Sequence, residues 1–148
     1  MPHFGLMNEE ALGPVEGPLM RAKLHIRCGR RRLREGKISA GIVTFYDALV
    51  SAMKWYIAQD DRKKLLRITE KDDMTDDRTM FEVLKRSRVI GGAQDFEAID
   101  RVVEKALAGE MPGYDYSKFL TDMESILTGL GVLPFDESDL PPEDPSTF

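Results

Sequence analysis

Apolar side chains recur every three or four residues over two neighbouring segments in the first half of the chain. In the first segment these positions are Leu19, Ala22, Ile26, Gly29 and Leu33, and in the second they are Ile42, Phe45, Leu49, Ala52 and Tyr56. This spacing predicts two amphipathic helices. Pro18 suits a first helical position, Gly36 follows the first helix, and Ser39 is expected to cap the second. Because only a short turn separates them, we expect residues 19–34 and 39–58 to pack as an antiparallel hairpin.

The second half repeats the helical pattern less regularly. A weak helical piece surrounds residues 65–68, and a stronger helix begins at Thr75 with Asp76 and Asp77 in its first turn. Asp95 is the expected cap of a further helix that Gly109 stops. The last helix has the apolar positions Tyr116, Phe119, Met123, Ile126 and Leu130. No stretch alternates as a strand would, so the sequence predicts an all-α fold, a compact bundle of five or six helices built on antiparallel helical hairpins.

The chain divides by composition into three parts. With 148 residues, of which 42% are hydrophobic, it has the size of one ordinary domain. We expect a flexible N-terminal segment over residues 1–17, a helical domain over residues 18–133, and an acidic, proline-rich tail over residues 134–148. The tail has four prolines and five acids and little to bury, so it is predicted to be disordered.

Charge is distributed unevenly between the two ends. The basic side chains of the first helix and its turn are Arg21, Lys23, Arg27, Arg30, Arg31, Arg32, Arg34 and Lys37, opposed only by Glu35. The tail carries five acids and no base, and without them the net charge of −5 would become 0. The tail could therefore fold back over the basic helix.

The candidate binding residues are the exposed-looking arginines of this helix and one aromatic residue. We single out Arg27, Arg30, Arg31, Arg34 and Trp55 as candidates for partner binding, although Trp55 suits the core end of the second helix better than an exposed binding surface. The main hypothesis is a non-catalytic helical interaction module that binds a protein partner or a second copy of itself. The alternative is a nucleic-acid-associated protein that uses the basic helix. The acidic pI of about 5.1 and the lack of aromatic residues between the arginines favour the first.

Residues 22–57 resemble two helical families. Gly29, Gly36, Gly41, Phe45, Ala48 and Leu49 are spaced as in one tetratricopeptide repeat, which implies a helical hairpin. Tyr46, Asp47 and Ala48 are similar to the Tyr-x-Ala motif in the first hairpin of HEPN-family bundles, which implies a bundle of four or five helices. The RNA-cutting members of that family use an arginine and a histidine with four to six residues between them. Arg21 and His25 have three residues between them, so the resemblance implies the bundle and not the nuclease.

Residue types that carry chemistry are few. Cys28 is the one cysteine, so no internal disulfide or zinc-binding cysteine pair can form, and a reducing, cytoplasmic location is expected. The aspartates of residues 71–78 lack the glycine and spacing of a calcium loop. No phosphate-binding glycine loop, catalytic triad or metal motif is present, and no apolar run is long enough to span a membrane. We therefore expect no catalytic residue, cofactor, metal or membrane partner, and an enzyme of unknown type ranks third among the hypotheses.

Overall fold

Six α-helices follow one another along residues 9–147, the part of the chain that the computed structural model describes. They are α1 (Glu9–Arg34), α2 (Ile38–Ala58), α3 (Asp60–Lys63), α4 (Asp77–Arg86), α5 (Phe96–Ala108) and α6 (Ser117–Leu130), followed by two 3-10 turns at Glu137–Asp139 and Pro145–Thr147. No strand occurs in this range. The predicted all-α bundle of five or six helices is confirmed.

Helix α2 is the centre of the bundle. It contacts each of the other five α-helices, and its only charged residues are Asp47 and Lys54. Phe45 and Leu49 are fully buried, as the helical spacing predicted. A helix that is apolar on most sides is stable in water only when other elements enclose it, which is why the remaining helices pack around α2.

Helices α1 and α2 form the predicted antiparallel hairpin. Gly36 takes a left-handed conformation (φ 79°) that ends α1, and the N–H of Lys37 donates to the carbonyl of Arg32 at 2.9 Å, the pattern of a Schellman turn. Further from the turn, Gly41 lies against the Leu33 side chain, and Gly29 lies against the Phe45 ring. The two glycines let the helices approach closely at two successive levels.

Helix α1 begins earlier than the sequence indicated. It starts at Glu9 and has a kink at Gly13, whose φ of 87° and ψ of −179° are not helical. Regular helix therefore continues from Pro14, a residue whose fixed φ suits a first turn, and Pro18 lies inside the helix. Residues 9–17, expected in a flexible segment, are thus part of α1, and residues 1–8 lie outside the described residues.

The predicted helix caps are right in one case and displaced in two. Asp95 caps α5 by accepting a hydrogen bond from the N–H of Glu97. Asp76, expected inside α4, is its cap and accepts from the N–H of Thr79. The expected capping role of Ser39 is wrong, because α2 already begins at Ile38.

The Ser39 side chain connects two helices instead. Its hydroxyl is buried and donates to the carbonyl of Gly109 at 2.7 Å, at the end of α5. A carbonyl at a helix end has no partner within the helix, so Ser39 satisfies a group that would otherwise need water. The contact fixes the end of α5 to the start of α2.

Candidate interaction surface

The basic side chains of α1 define a surface along one side of the hairpin. Lys23, Arg27, Arg30 and Arg34 recur at spacings of four, three and four residues, which places them on one face of a helix. Arg31 lies beside this row. We call these five residues the basic face.

Arg30 is held between two carboxylates from distant parts of the chain. Its Nη2 lies 2.6 Å from Glu124 Oε2 in α6, and its Nη1 lies 3.3 Å from Glu137 Oε2 in the acidic tail. The two terminal nitrogens of the guanidinium therefore donate to different acids. Glu124 belongs to the helical body and Glu137 to the tail.

Arg31 also lies between two carboxylates, one from the helical body and one from the tail. Its Nη1 lies 2.9 Å from Glu35 Oε1, one turn further along the chain, and its Nε lies 3.2 Å from Glu143 Oε1 in the tail. Nη2 also approaches the sulfur of Cys28 at 3.5 Å. Again one acid comes from the helical body and the other from the tail.

The tail makes a third contact near the middle of α1. The Lys23 ammonium lies 5.7 Å from the centre of the Phe135 ring, within the range of a cation–π interaction. The tail thus lies against the basic helix, as the opposite charges of the two segments suggested. Its predicted disorder stays a prediction.

The remaining predicted binding residues fall in different environments. Arg34 is exposed and Arg27 is half-buried. Trp55 is 8% exposed and belongs to the core, with the guanidinium of Arg62 5.2 Å from its ring centre. The structure therefore brings Arg27, Arg30, Arg31 and Arg34 together on α1 and places Trp55 apart from them.

Arg32 shows why the basic run is not one continuous surface. Its Nη1 donates to Thr44 Oγ1 at 2.8 Å, and Thr44 is a buried residue of α2. Helical rotation turns Arg32 toward the partner helix while its neighbours Arg30 and Arg31 face the tail. Arg32 contributes to the hairpin and not to the basic face.

Sequence reasoning missed Glu124 and Phe135 as parts of this surface, and it placed Lys23 in the basic run without singling it out as a candidate. The charge asymmetry between the first helix and the tail was a usable signal for the tail acids. No local pattern marks Glu124, because its distance from Arg30 depends on how α6 packs.

Cys28 lies beneath these contacts and is fully buried. Burial raises the pKa of its thiol above the ordinary value, and Glu143 acts in the same direction, while the charges of Arg32 and Arg31 oppose the shift. The thiol is therefore held in its protonated, less reactive form.

A separate polar cleft of about 370 Å³ lies between the hairpin and the start of α4. It is lined by Pro18, Arg21, Tyr46, Asp47, Val50, Ser51, Lys54 and Asp77. Tyr46 donates to Asp77 at 2.9 Å, and burial together with this bond raises the pKa of Tyr46. The tyrosine is thus a fixed donor, and the two cations and two carboxylates of the cleft balance each other.

His25 does not line this cleft. Its ring is 1% exposed, with Nδ1 2.8 Å from the carbonyl oxygen of Arg21 and Nε2 3.8 Å from Asp47 Oδ2. Arg21 and His25 therefore do not present a pair of catalytic side chains to solvent.

Across the described part of the chain, no group of three or more histidine, cysteine, aspartate or glutamate residues could hold a metal ion. None of the described helices is long and apolar enough to cross a membrane.

Comparison with known proteins gives no family for this chain. No protein-family model, curated protein or solved structure matches it significantly. The resemblances of residues 22–57 to a tetratricopeptide hairpin and to HEPN bundles rest on the sequence pattern alone. The basic face and its contacts are the basis on which a function can be argued.

Proposed function

We propose that this protein is a non-catalytic helical interaction module that binds a protein partner through the basic face of α1. The observation that carries the proposal is the shared coordination of Arg30 and Arg31. In each case an acid of the helical body, Glu124 or Glu35, orients the guanidinium, while the second acid belongs to the tail.

This arrangement suits recognition of carboxylates. A guanidinium presents several donors in a fixed plane, and holding that plane in place reduces the side-chain entropy lost on binding. Because residues 134–146 include no buried residue, a carboxylate from another chain can take the places of the tail acids. The chemistry of the tail points to an acidic protein segment as the partner.

The test is a binding titration of the full chain with a labelled peptide rich in glutamate and aspartate. We expect the wild type to bind it, the variant Arg30→Gln/Arg31→Gln to lose most of the binding, and Lys63→Gln/Lys64→Gln to retain it. The last variant removes the same charge from exposed lysines of α3 and its C-terminal cap. Absence of peptide binding, or equal binding by all three proteins, would overturn the proposal.

The same titration with single-stranded RNA and duplex DNA tests the nucleic-acid alternative. We expect no measurable binding at physiological salt. Phosphate contacts release counterions, so nucleic-acid affinity falls log-linearly with salt. Tight binding that shows this salt dependence and is lost in the arginine variant would mean that the basic face recognises phosphates.

A further inference from the structure

The acidic tail follows a defined path over the basic face. The Lys23 ammonium lies over the Phe135 ring, Glu137 pairs with Arg30, and Glu143 pairs with Arg31. The three contacts therefore follow the same order along the tail and along α1.

The spacing of these points fits the geometry of a helix. Lys23 and Arg30 are seven residues apart, about two turns, so they lie on the same face. Arg30 and Arg31 are consecutive and point about 100° apart around the axis. The five residues between Glu137 and Glu143 allow the tail to cross from one arginine to the other.

We infer that the tail is an internal copy of the partner's binding segment and competes with it for the basic face. The inference rests on the proposed function and names the partner's chemistry. The partner segment has an aromatic residue two positions before a first acid and a second acid six positions later, the pattern of Phe135, Glu137 and Glu143.

An external segment can gain a contact that the tail does not make. Arg34 lies one turn beyond Arg30 on the same face, is exposed, and makes none of the ion pairs found among residues 9–147. A partner with a further acid reaches Arg34. This additional contact offsets the advantage that the tail has from being attached to the same chain, which gives it a high effective concentration.

The two tail ion pairs differ in how well they are shielded. In the Arg31–Glu143 pair the side chains are 14% and 17% exposed, whereas in the Arg30–Glu137 pair they are 25% and 39% exposed. Solvent screens exposed ion pairs more than partly buried ones. Glu143 is therefore the stronger attachment of the tail, and its loss should release the tail more than the loss of Glu137.

The experiment titrates full-length proteins with a synthetic, fluorescently labelled peptide of residues 134–148. The test variant is Glu137→Gln/Glu143→Gln. The matched control is Asp136→Asn/Asp139→Asn, which removes the same charge from acids that do not pair with the basic face: Asp136 accepts from Ser138, and Asp139 is exposed. A scrambled peptide of the same composition tests the spacing.

We expect the test variant to bind the peptide about three- to thirtyfold more tightly than the wild type, the range for losing two partly exposed ion pairs. The control should differ from the wild type by less than about twofold, and the scrambled peptide should bind more weakly than the native one. Equal affinity of the wild type and the test variant would overturn the competition, as would an equal gain in the control. Equal binding of the scrambled peptide would overturn the spacing.

Each of these three overturning results would contradict the inference but leave the proposed function standing, because the basic face would still bind an acidic peptide. If the test variant binds neither the native peptide nor the peptide rich in glutamate and aspartate, both the inference and the proposed function fail. The two failures are therefore distinguishable.

Discussion

Gly29 and Gly41 determine how closely α1 and α2 approach. A Cβ atom on Gly29 would lie 2.7 Å from Cδ2 of Phe45, and one on Gly41 would lie 2.7 Å from Cδ2 of Leu33. Glycine inside a helix costs about 1 kcal/mol relative to alanine. A larger residue would be less favourable still at either position, because the neighbouring side chains are buried and have no room to move away.

Gly29→Ala should therefore lower the free energy of unfolding, by about 1–3 kcal/mol for inserting a methyl group into a packed core. The better helix propensity of alanine reduces this loss but does not reverse it. Chemical denaturation of both proteins measures the difference. Gly92→Ala is the control, since no atom lies within 4 Å of a Cβ there, and a stability of Gly29→Ala equal to the wild type would contradict the close approach.

For single residues, the sequence predicted burial better than it predicted hydrogen bonds. Phe45 and Leu49 were placed in the core by their spacing, and both are fully buried. Ser39 has a residue type that suits a cap, yet its hydroxyl finds the carbonyl of Gly109. Such a partner is set by the packing of α5, which no local pattern encodes.

At the scale of secondary-structure elements, the reactivity of Cys28 can report on the contact between α1 and the tail. Arg31 contacts the Cys28 sulfur and the Glu143 carboxylate at once, so we expect release of the tail to make the thiol more accessible. Cys28 is the one cysteine of the chain. Its alkylation rate therefore reports on the position of the tail without a second thiol to interfere.

We expect Glu143→Gln to raise the rate of Cys28 alkylation by up to about fivefold, the factor for an ion pair worth 1 kcal/mol. Burial and Glu143 both raise the pKa of Cys28, so removing the Glu143 charge should lower this pKa. The pH dependence of the alkylation rate should then shift to lower pH, because the thiolate is the form that reacts. Asp139→Asn serves as the control. A rate and profile unchanged in Glu143→Gln would show that the tail does not protect the thiol.

A second contact between elements joins the loop after α3 to the end of α4. Asp72 accepts hydrogen bonds from the N–H of Thr69 at 2.7 Å and from Arg86 Nη2 at 2.6 Å. The Thr69 bond is the main cause that lowers the pKa of Asp72, with Arg86 adding to it and partial desolvation opposing it.

A carboxyl whose pKa is lower in the folded state stabilises the fold above its unfolded pKa, about 3.9 for aspartate, and loses that effect as the pH falls through the folded value. Asp72→Asn should therefore melt at a lower temperature than the wild type at neutral pH, and the difference should disappear in acid. Thermal melts across this range measure it. Asp61→Asn, at an exposed acid of α3, is the control, and a constant difference for Asp72→Asn at all pH values would contradict the assignment.

The helices themselves were predictable to different degrees. Helix α2 has only two charged residues, Asp47 and Lys54, so its enclosure followed directly from its sequence. The start of α1 was predicted too late, because Pro18 looked like a first residue and the break at Gly13 depends on a left-handed φ that a sequence does not reveal. The ion pair between Arg30 and Glu124 connects α1 and α6, which are far apart in the chain, so it could not be predicted without the fold.

For the whole molecule, the tail adds charge and surface contacts but little core. The buried core ends at Val132, and the 3-10 turn Glu137–Asp139 has no buried residue. A chain ending at Leu133 should therefore keep its helix content by circular dichroism, while its net charge rises from −5 to 0 because five acids and no base are removed. Loss of helix content would show that the tail is required for the fold.

The central position of α2 has a consequence for hydrogen exchange. Because α2 contacts all five other helices, opening any one of them exposes only part of it, and its amides can exchange fully only when the whole bundle unfolds. Residues 59–76 are mostly exposed, so their amides can exchange through local opening. Deuterium uptake should therefore be slowest over α2 and follow global stability there, whereas uptake over residues 59–76 should be fast and independent of it. Similar rates in the two regions would mean that the bundle does not unfold around α2 as one cooperative unit.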